Sequence, residues 1–76
     1  MVKRGKIEIM RAILQLIQEH KNFIKPTPLL RKSGLSSLRF KDYYLELLER
    51  GLVRELTQNE NKYVLLTDKG LRFLER

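Results

Sequence analysis

Seventy-six residues, 42% of them apolar and 33% charged, suffice for one small globular domain and not for two, and the balance is not that of a disordered chain. The absence of cysteine excludes disulfides and thiolate metal sites, and no apolar run approaches the ~20 residues of a membrane span. The basic start Met1 to Lys6 is not followed by an uninterrupted apolar signal region, so an intracellular, cytoplasmic protein is expected.

A formal net charge of +7 predicts attraction to nucleic acid or acidic surfaces. Its distribution says more. Residues 21–41 carry six cations (Lys21, Lys25, Arg31, Lys32, Arg39 and Lys41) and no acid, whereas residues 42–60 carry two basic and five acidic groups. Lys3, Arg4 and Lys6 form a basic arm at the start, either adding nonspecific attraction or simply solvated.

Apolar residues at Met10, Ile13, Leu14 and Ile17 give the i, i+3, i+4, i+7 stripe of an amphipathic helix over Lys6 to Glu19. His20 follows where an imidazole can cap carbonyls, and Phe23 with Ile24 can form a very short extended segment. Thr27-Pro28 reads as an N-cap and a first-position proline, opening a brief helix that Gly34 stops. Only Gly34 and Leu35 then precede Ser36, the N-cap of a helix running to its glycine terminator Gly51, with Leu35 and Phe40 as a hydrophobic staple. Two helices joined so tightly have helix-turn-helix spacing. Leu52 to Leu56 and Lys62 to Leu66 read as an antiparallel hairpin around the polar run 57–61, and Thr67 caps a last helix, Asp68 to Glu75, with Leu71 and Leu74 facing inward.

This order predicts one α+β domain over residues 1–76 of the winged helix-turn-helix class: a three-helix core, a two-stranded β-hairpin wing and a short C-terminal helix. The runs GLSSLRFKDYYLELLERGLV and YVLLTDKGLRFL resemble the archaeal winged-helix transcriptional regulators, a group that includes small proteins of archaeal viruses and plasmids. Tyr43, Leu47, Gly51 and Leu52, then Thr67, Lys69 and Gly70, are the most specific parts. The resemblance implies double-stranded DNA as partner, with the third helix in the major groove and the hairpin as a wing beside the backbone. Two departures stand out. Members often carry an aromatic three residues before the threonine, where this chain has Val64, with Tyr63 one position earlier and on the opposite face. Others continue the last helix into a dimerising coiled coil, whereas this sequence stops at Arg76. A homodimer through the first or last helix, or formed only on DNA, is left open.

On the helical wheel, Phe40, Tyr44, Leu47 and Leu48 cluster toward a core, with Tyr43 flanking them. Ser36, Ser37 and Arg39 are the groove candidates: hydroxyls and helix-end amides suit phosphate, and guanidinium suits the O6/N7 edge of guanine. Lys41 is assigned to phosphate. Leu38 either touches a thymine methyl or is partly buried, and Asp42 either accepts from a cytosine amino group or, as the favoured reading, forms an ion pair with Arg39 or Lys41. Lys25, Thr27, Arg31 and Lys32 would flank the groove contact, and Arg54, Asn59, Asn61 and Lys62 would serve the wing at 57–62. Glu60 near the tip argues against deep insertion along the backbone.

An enzyme is not expected. One histidine at a helix end, no cysteine and four isolated glycines supply neither a nucleophile–base pair, nor a zinc set, nor a phosphate loop, and no cofactor is implied. The leading reading is a sequence-specific transcriptional regulator, on the nucleoid when bound. Its rivals are a winged-helix protein–protein interaction module and a nonspecific architectural nucleic-acid binder.

Overall fold

The computed structural model describes residues 5–75; Lys3 and Arg4 of the basic arm lie outside them. Its elements run α1 (Lys6–Glu19), β1 (Phe23–Ile24), α2 (Pro26–Ser33), α3 (Ser37–Glu49), β2 (Val53–Gln58), β3 (Asn61–Leu66) and α4 (Asp68–Leu74). The apolar stripe of α1 buries Ile9, Met10, Ile13, Leu14 and Ile17. Each such side chain stabilises the fold by about 1.5–3 kcal/mol before chain entropy is subtracted. Against this stripe pack Leu29 of α2, Phe40 and Leu47 of α3, and Ile24, Val53 and Val64 of the sheet.

His20 ends α1 as expected, its Nδ1–H donating to the Leu16 carbonyl at 2.9 Å. Lys21 and Asn22 then take left-handed backbone, and their N–H groups close on Gln18 and Ile17 at 3.1 and 3.0 Å. This sharp reversal delivers Phe23 and Ile24 to the edge of the sheet. The wing is therefore part of a three-stranded antiparallel sheet of order β1-β3-β2, not a lone two-stranded hairpin. β1 pairs Phe23 with Leu65 and Ile24 with Val64.

Helix α2 starts before the Thr27 cap that the sequence suggests. Pro26 opens it, Lys25 holds the N-cap position with extended backbone, and neither supplies a side-chain cap. The reason is steric: proline pushes its preceding residue toward extended geometry and fixes its own φ for a first helical turn, where no N–H is needed. Gly34 in left-handed conformation ends the helix, and Ser33 Oγ braces the turn by donating to the Leu30 carbonyl (2.6 Å) and accepting from the Leu35 N–H (3.2 Å).

Helix α3 has both expected end signals. Ser36 Oγ accepts from the Arg39 N–H at 3.3 Å. At the other end Gly51, with φ 74°, lets its N–H reach the Leu48 carbonyl (3.1 Å) and the Leu52 N–H reach that of Leu47 (2.9 Å), while Leu47 and Leu52 are both buried. That pair of bonds with an apolar contact is a Schellman closure.

The strands of the wing absorb most of the polar run assigned to a loop. Pairing continues to Gln58 opposite Asn61, so only Asn59 and Glu60 turn the chain, both with positive φ (51° and 64°). Two-residue hairpin loops favour this geometry because its twist matches that of the strands. Thr67 Oγ1 accepts from the Gly70 N–H at 3.0 Å, opening α4, and Leu74 with Phe73 packs on the core edge, while Leu71 is half-buried outside that cluster. Arg11 ties α4 to α1 through the Leu74 carbonyl (3.2 Å) and the Phe73 ring (5.9 Å).

Gly70 sits where α4 crosses the backbone leaving α3. A Cβ there would lie 2.3 Å from the Leu52 carbonyl oxygen and 2.7 Å from Leu66 Cδ1. Gly70→Ala should therefore destabilise the protein by about 1–3 kcal/mol in urea unfolding, although alanine is the better helix former by about 1 kcal/mol. A neutral or stabilising result would mean that the two backbones can separate freely. At the wing tip the sign reverses: Glu60→Gly relieves a left-handed glutamate and should raise stability by about 0.5–1 kcal/mol in the same assay.

Candidate nucleic-acid interface

The N-terminal end of α3 presents cations in solvent on a rigid element. Ser36, Ser37, Leu38, Arg39 and Lys41 are all exposed, and Leu38 reaches 79% exposure, so its partial-burial reading fails. The wheel explains this: Leu38 stands nearly opposite Phe40 and Leu47, which hold the helix in the core with help from Tyr43, Tyr44 and Leu48. Phe40 and Tyr44 stack at 5.7 Å. The first-turn amides point out of the helix end, where the positive end of the helix dipole adds to the field.

Arg31 and Lys32 occupy the last turn of α2, a tight turn before the Ser36 cap, and both are exposed. Lys32 also lines a groove of about 250 Å³ with Glu19, Ser33 and Leu35, between α1 and α2. Thr27 is exposed in the first turn of α2. Farther along α3, charge is managed differently from the expectation. Among the described residues Asp42 forms no ion pair with Arg39 or Lys41; the pairs form at Glu46, with Lys6 (2.7 Å) and Arg50 (2.8 Å), and at Glu55, with Lys62 (3.1 Å). Lys6 is thus engaged across to α3 and is not part of a free basic arm.

The sheet divides the expected wing residues between two faces. Val53 and Val64 are buried on the inner face, and strand alternation puts Glu55 and Lys62 on that side, where the Tyr44 hydroxyl of α3 donates to the Glu55 carboxylate. Lys62 therefore lies on the α3 side of the wing. Arg54 and Asn61 turn to the opposite, outer face, so Arg54 is separated from α3 by the sheet itself. Asn61 Nδ2–H donates to the Asn59 carbonyl at 3.2 Å and steadies the tip. Lys25 also leaves the proposed groove surface: its Nζ lies 6.0 Å from the Tyr63 ring on the outer face. Strand alternation alone could have revealed this division, had the register been known.

Among the described residues, no cluster of acids and histidine is placed to hold a metal ion, and no helix is long and apolar enough to cross a membrane. Residues 3–76 match the family described as winged helix-turn-helix. Among solved structures the chain is similar to the crystal structure of Sso10a-2, a DNA-binding protein from Sulfolobus solfataricus, with a TM-score of 0.78 and 25% identity over 95% of this chain and 73% of that one. No curated protein sequence matches the chain.

The contact between α3 and the wing sets the Glu55 carboxylate against the Tyr44 hydroxyl and the Lys62 ammonium. Hydrogen bonding from Tyr44, then the Lys62 charge, lowers the Glu55 carboxyl below its ordinary value, and Lys6 with Arg50 lowers Glu46. Burial and the Glu55 charge push the Tyr44 hydroxyl up. Because both carboxyls bind protons less readily folded than unfolded, their contribution is complete above the ordinary carboxylate range and is lost as pH falls through their lowered values. Tyr44→Phe should cost about 1 kcal/mol at neutral pH and flatten the decline in stability below about pH 4.3, read by urea unfolding across pH. An acid decline identical to that of the parent would contradict this coupling.

Proposed function

The chain belongs to the winged helix-turn-helix family, and on that premise we propose that it is a sequence-specific double-stranded-DNA-binding regulator of transcription. The observation that carries this reading is the exposed, capped N-terminal end of α3, presented as a rigid unit at the close of a segment with six cations and no acid. The similarity to a structure described as a DNA-binding protein supports the same partner.

In this reading α3 enters the major groove end-on. Arg39 reads a guanine edge, Leu38 meets a thymine methyl, and the Ser36 and Ser37 hydroxyls with the first-turn amides hold a phosphate. Lys41, Thr27, Arg31 and Lys32 fix register through the backbone, which contributes affinity without sequence information. The wing's share is small: Asn59 and Asn61 at the tip, with Lys62 already partnered by Glu55. Glu60 at the same tip disfavours insertion between phosphates. The C-terminal half of α3, which exposes Leu45 (47%) and the acid Glu49, rises out of the groove.

Selection of bound sequences from a random duplex pool, followed by titration across salt, tests the reading. Retention of preference as salt rises supports specific recognition; uniform loss would favour an architectural binder, and no duplex binding even at low salt would favour a protein-interaction module. Arg39→Ala should weaken the selected site by about 1–3 kcal/mol and relax one base position, whereas Arg31→Ala should weaken all sequences alike and reduce the salt slope by about one. Equal, sequence-independent losses from both would remove Arg39 from the base-reading role.

A further inference from the structure

Apart from Asn61 at the wing tip, the outer face of the sheet has no role in duplex binding, and it is unusual for a solvent-facing surface. Register places Phe23, Leu65 and Arg54 in one cross-strand row and Tyr63 beside Leu56 in the next, with Asn61 and Gln58 beyond. Phe23 is 49% exposed and Leu56 40%. Phe23 stands edge-to-face on Tyr63 at 5.8 Å, and Lys25 Nζ lies 6.0 Å from the centre of the Tyr63 ring. Two shallow depressions meet at Phe23. One of about 260 Å³ is lined by Leu56, Tyr63 and Leu65; the other, about 600 Å³, gathers Lys21, Arg54 and Lys69, with Asp68 as its acid. No acidic side chain stands on the outward positions of the three strands.

We propose that this face binds single-stranded nucleic acid, with a base stacked on Phe23 and the flanking phosphates held by Lys21, Lys25, Arg54 and Lys69. The pairing of aromatic rings with surrounding cations fits that ligand: stacking accepts any base, and the cations track the backbone. A duplex is the poorer occupant, because its base faces are already stacked and only their edges are open. A second copy of this chain is poorer still. A two-fold contact sets the same patch against itself, which would bring Lys25 and Arg54 of two molecules together. The backbone fits the role as well: the left-handed Lys21 and Asn22 that deliver Phe23 to the sheet edge also set Lys21 beside it.

The site is independent of α3, so the two surfaces can be tested apart. Fluorescence anisotropy of the intact protein with short labelled oligothymidine, oligouridine and a duplex would measure all three ligands, and the ratio of the first two would say whether DNA or RNA is preferred. Phe23→Ala should weaken both single strands by about 5- to 100-fold and leave duplex affinity within about twofold. Arg54→Glu, at an exposed position outside the core, should do the same if Phe23→Ala proves unfolded by circular dichroism. Arg39→Ala should show the reverse pattern. No single-strand binding, or single-strand binding untouched by Phe23→Ala and Arg54→Glu, would overturn the proposal. So would a dimer in sedimentation that Phe23→Ala dissociates, because the face would then be a self-association surface.

Discussion

The position of α3 relative to the wing rests on a small clamp. The backbone leaving α3 at Gly51 and Leu52 is gripped from the other side by the start of α4: Thr67 Oγ1 donates to the Gly51 carbonyl at 2.6 Å, the Thr67 N–H donates to the Leu52 carbonyl at 3.2 Å, and Gly70 has no side chain to hold the two segments apart. Thr67 is at the same time the N-cap of α4, so one residue ends β3, begins α4 and fixes the exit of α3. Buried Leu47, Leu52 and Val53 complete the joint with apolar packing. Without this joint α3 and the hairpin would be independent levers; with it, the base of the wing and the C-terminal end of the helix form one body.

That rigidity lets the sheet serve as a partition. Its inner face is tied to α3 through Tyr44, which donates to Glu55, the partner of Lys62. Its outer face carries Phe23, Tyr63, Leu56 and Arg54 into solvent. The two-residue β1 makes the division possible. It adds a third row to what would otherwise be a bare hairpin and brings an aromatic ring, with Lys21 and Lys25 on either side in the chain, against Tyr63. The positive charge of residues 21–41 is consequently split between a face toward α3 and a face away from it.

Features set by local chemistry could be read from the sequence: the Ser36 and Thr67 caps, the turns at Gly34 and Gly51, the His20 cap and the apolar face of α3 each depend on neighbours within a few residues. Features set by tertiary pairing could not. Sequence alone does not fix the start of α2, because two prolines, Pro26 and Pro28, offer competing first positions and the extended Lys25 decides between them. The polar run 57–61 reads as a loop because pairing opposite Lys62 and Asn61 is invisible in one strand. For the same reason sequence places Lys25 beside the groove and Arg54 with the wing contacts: charge is written in the sequence, but the face on which it lands requires the register. The order of the elements predicts the architecture and the resemblance in GLSSLRFKDYYLELLERGLV agrees with it, but neither carries information about the outer face.

The central claim is that the first two turns of α3, and not its later half, form the duplex-binding surface. Backbone amide shift mapping by NMR, with the protein titrated with its selected duplex, tests this most directly. The largest changes are expected at Ser36 to Lys41 and in the last turn of α2, with smaller ones at Asn59 to Lys62 and little change at Leu45 to Glu49. Changes concentrated at Leu45 to Glu49, or on the outer-face residues Phe23, Leu56 and Tyr63, would contradict it.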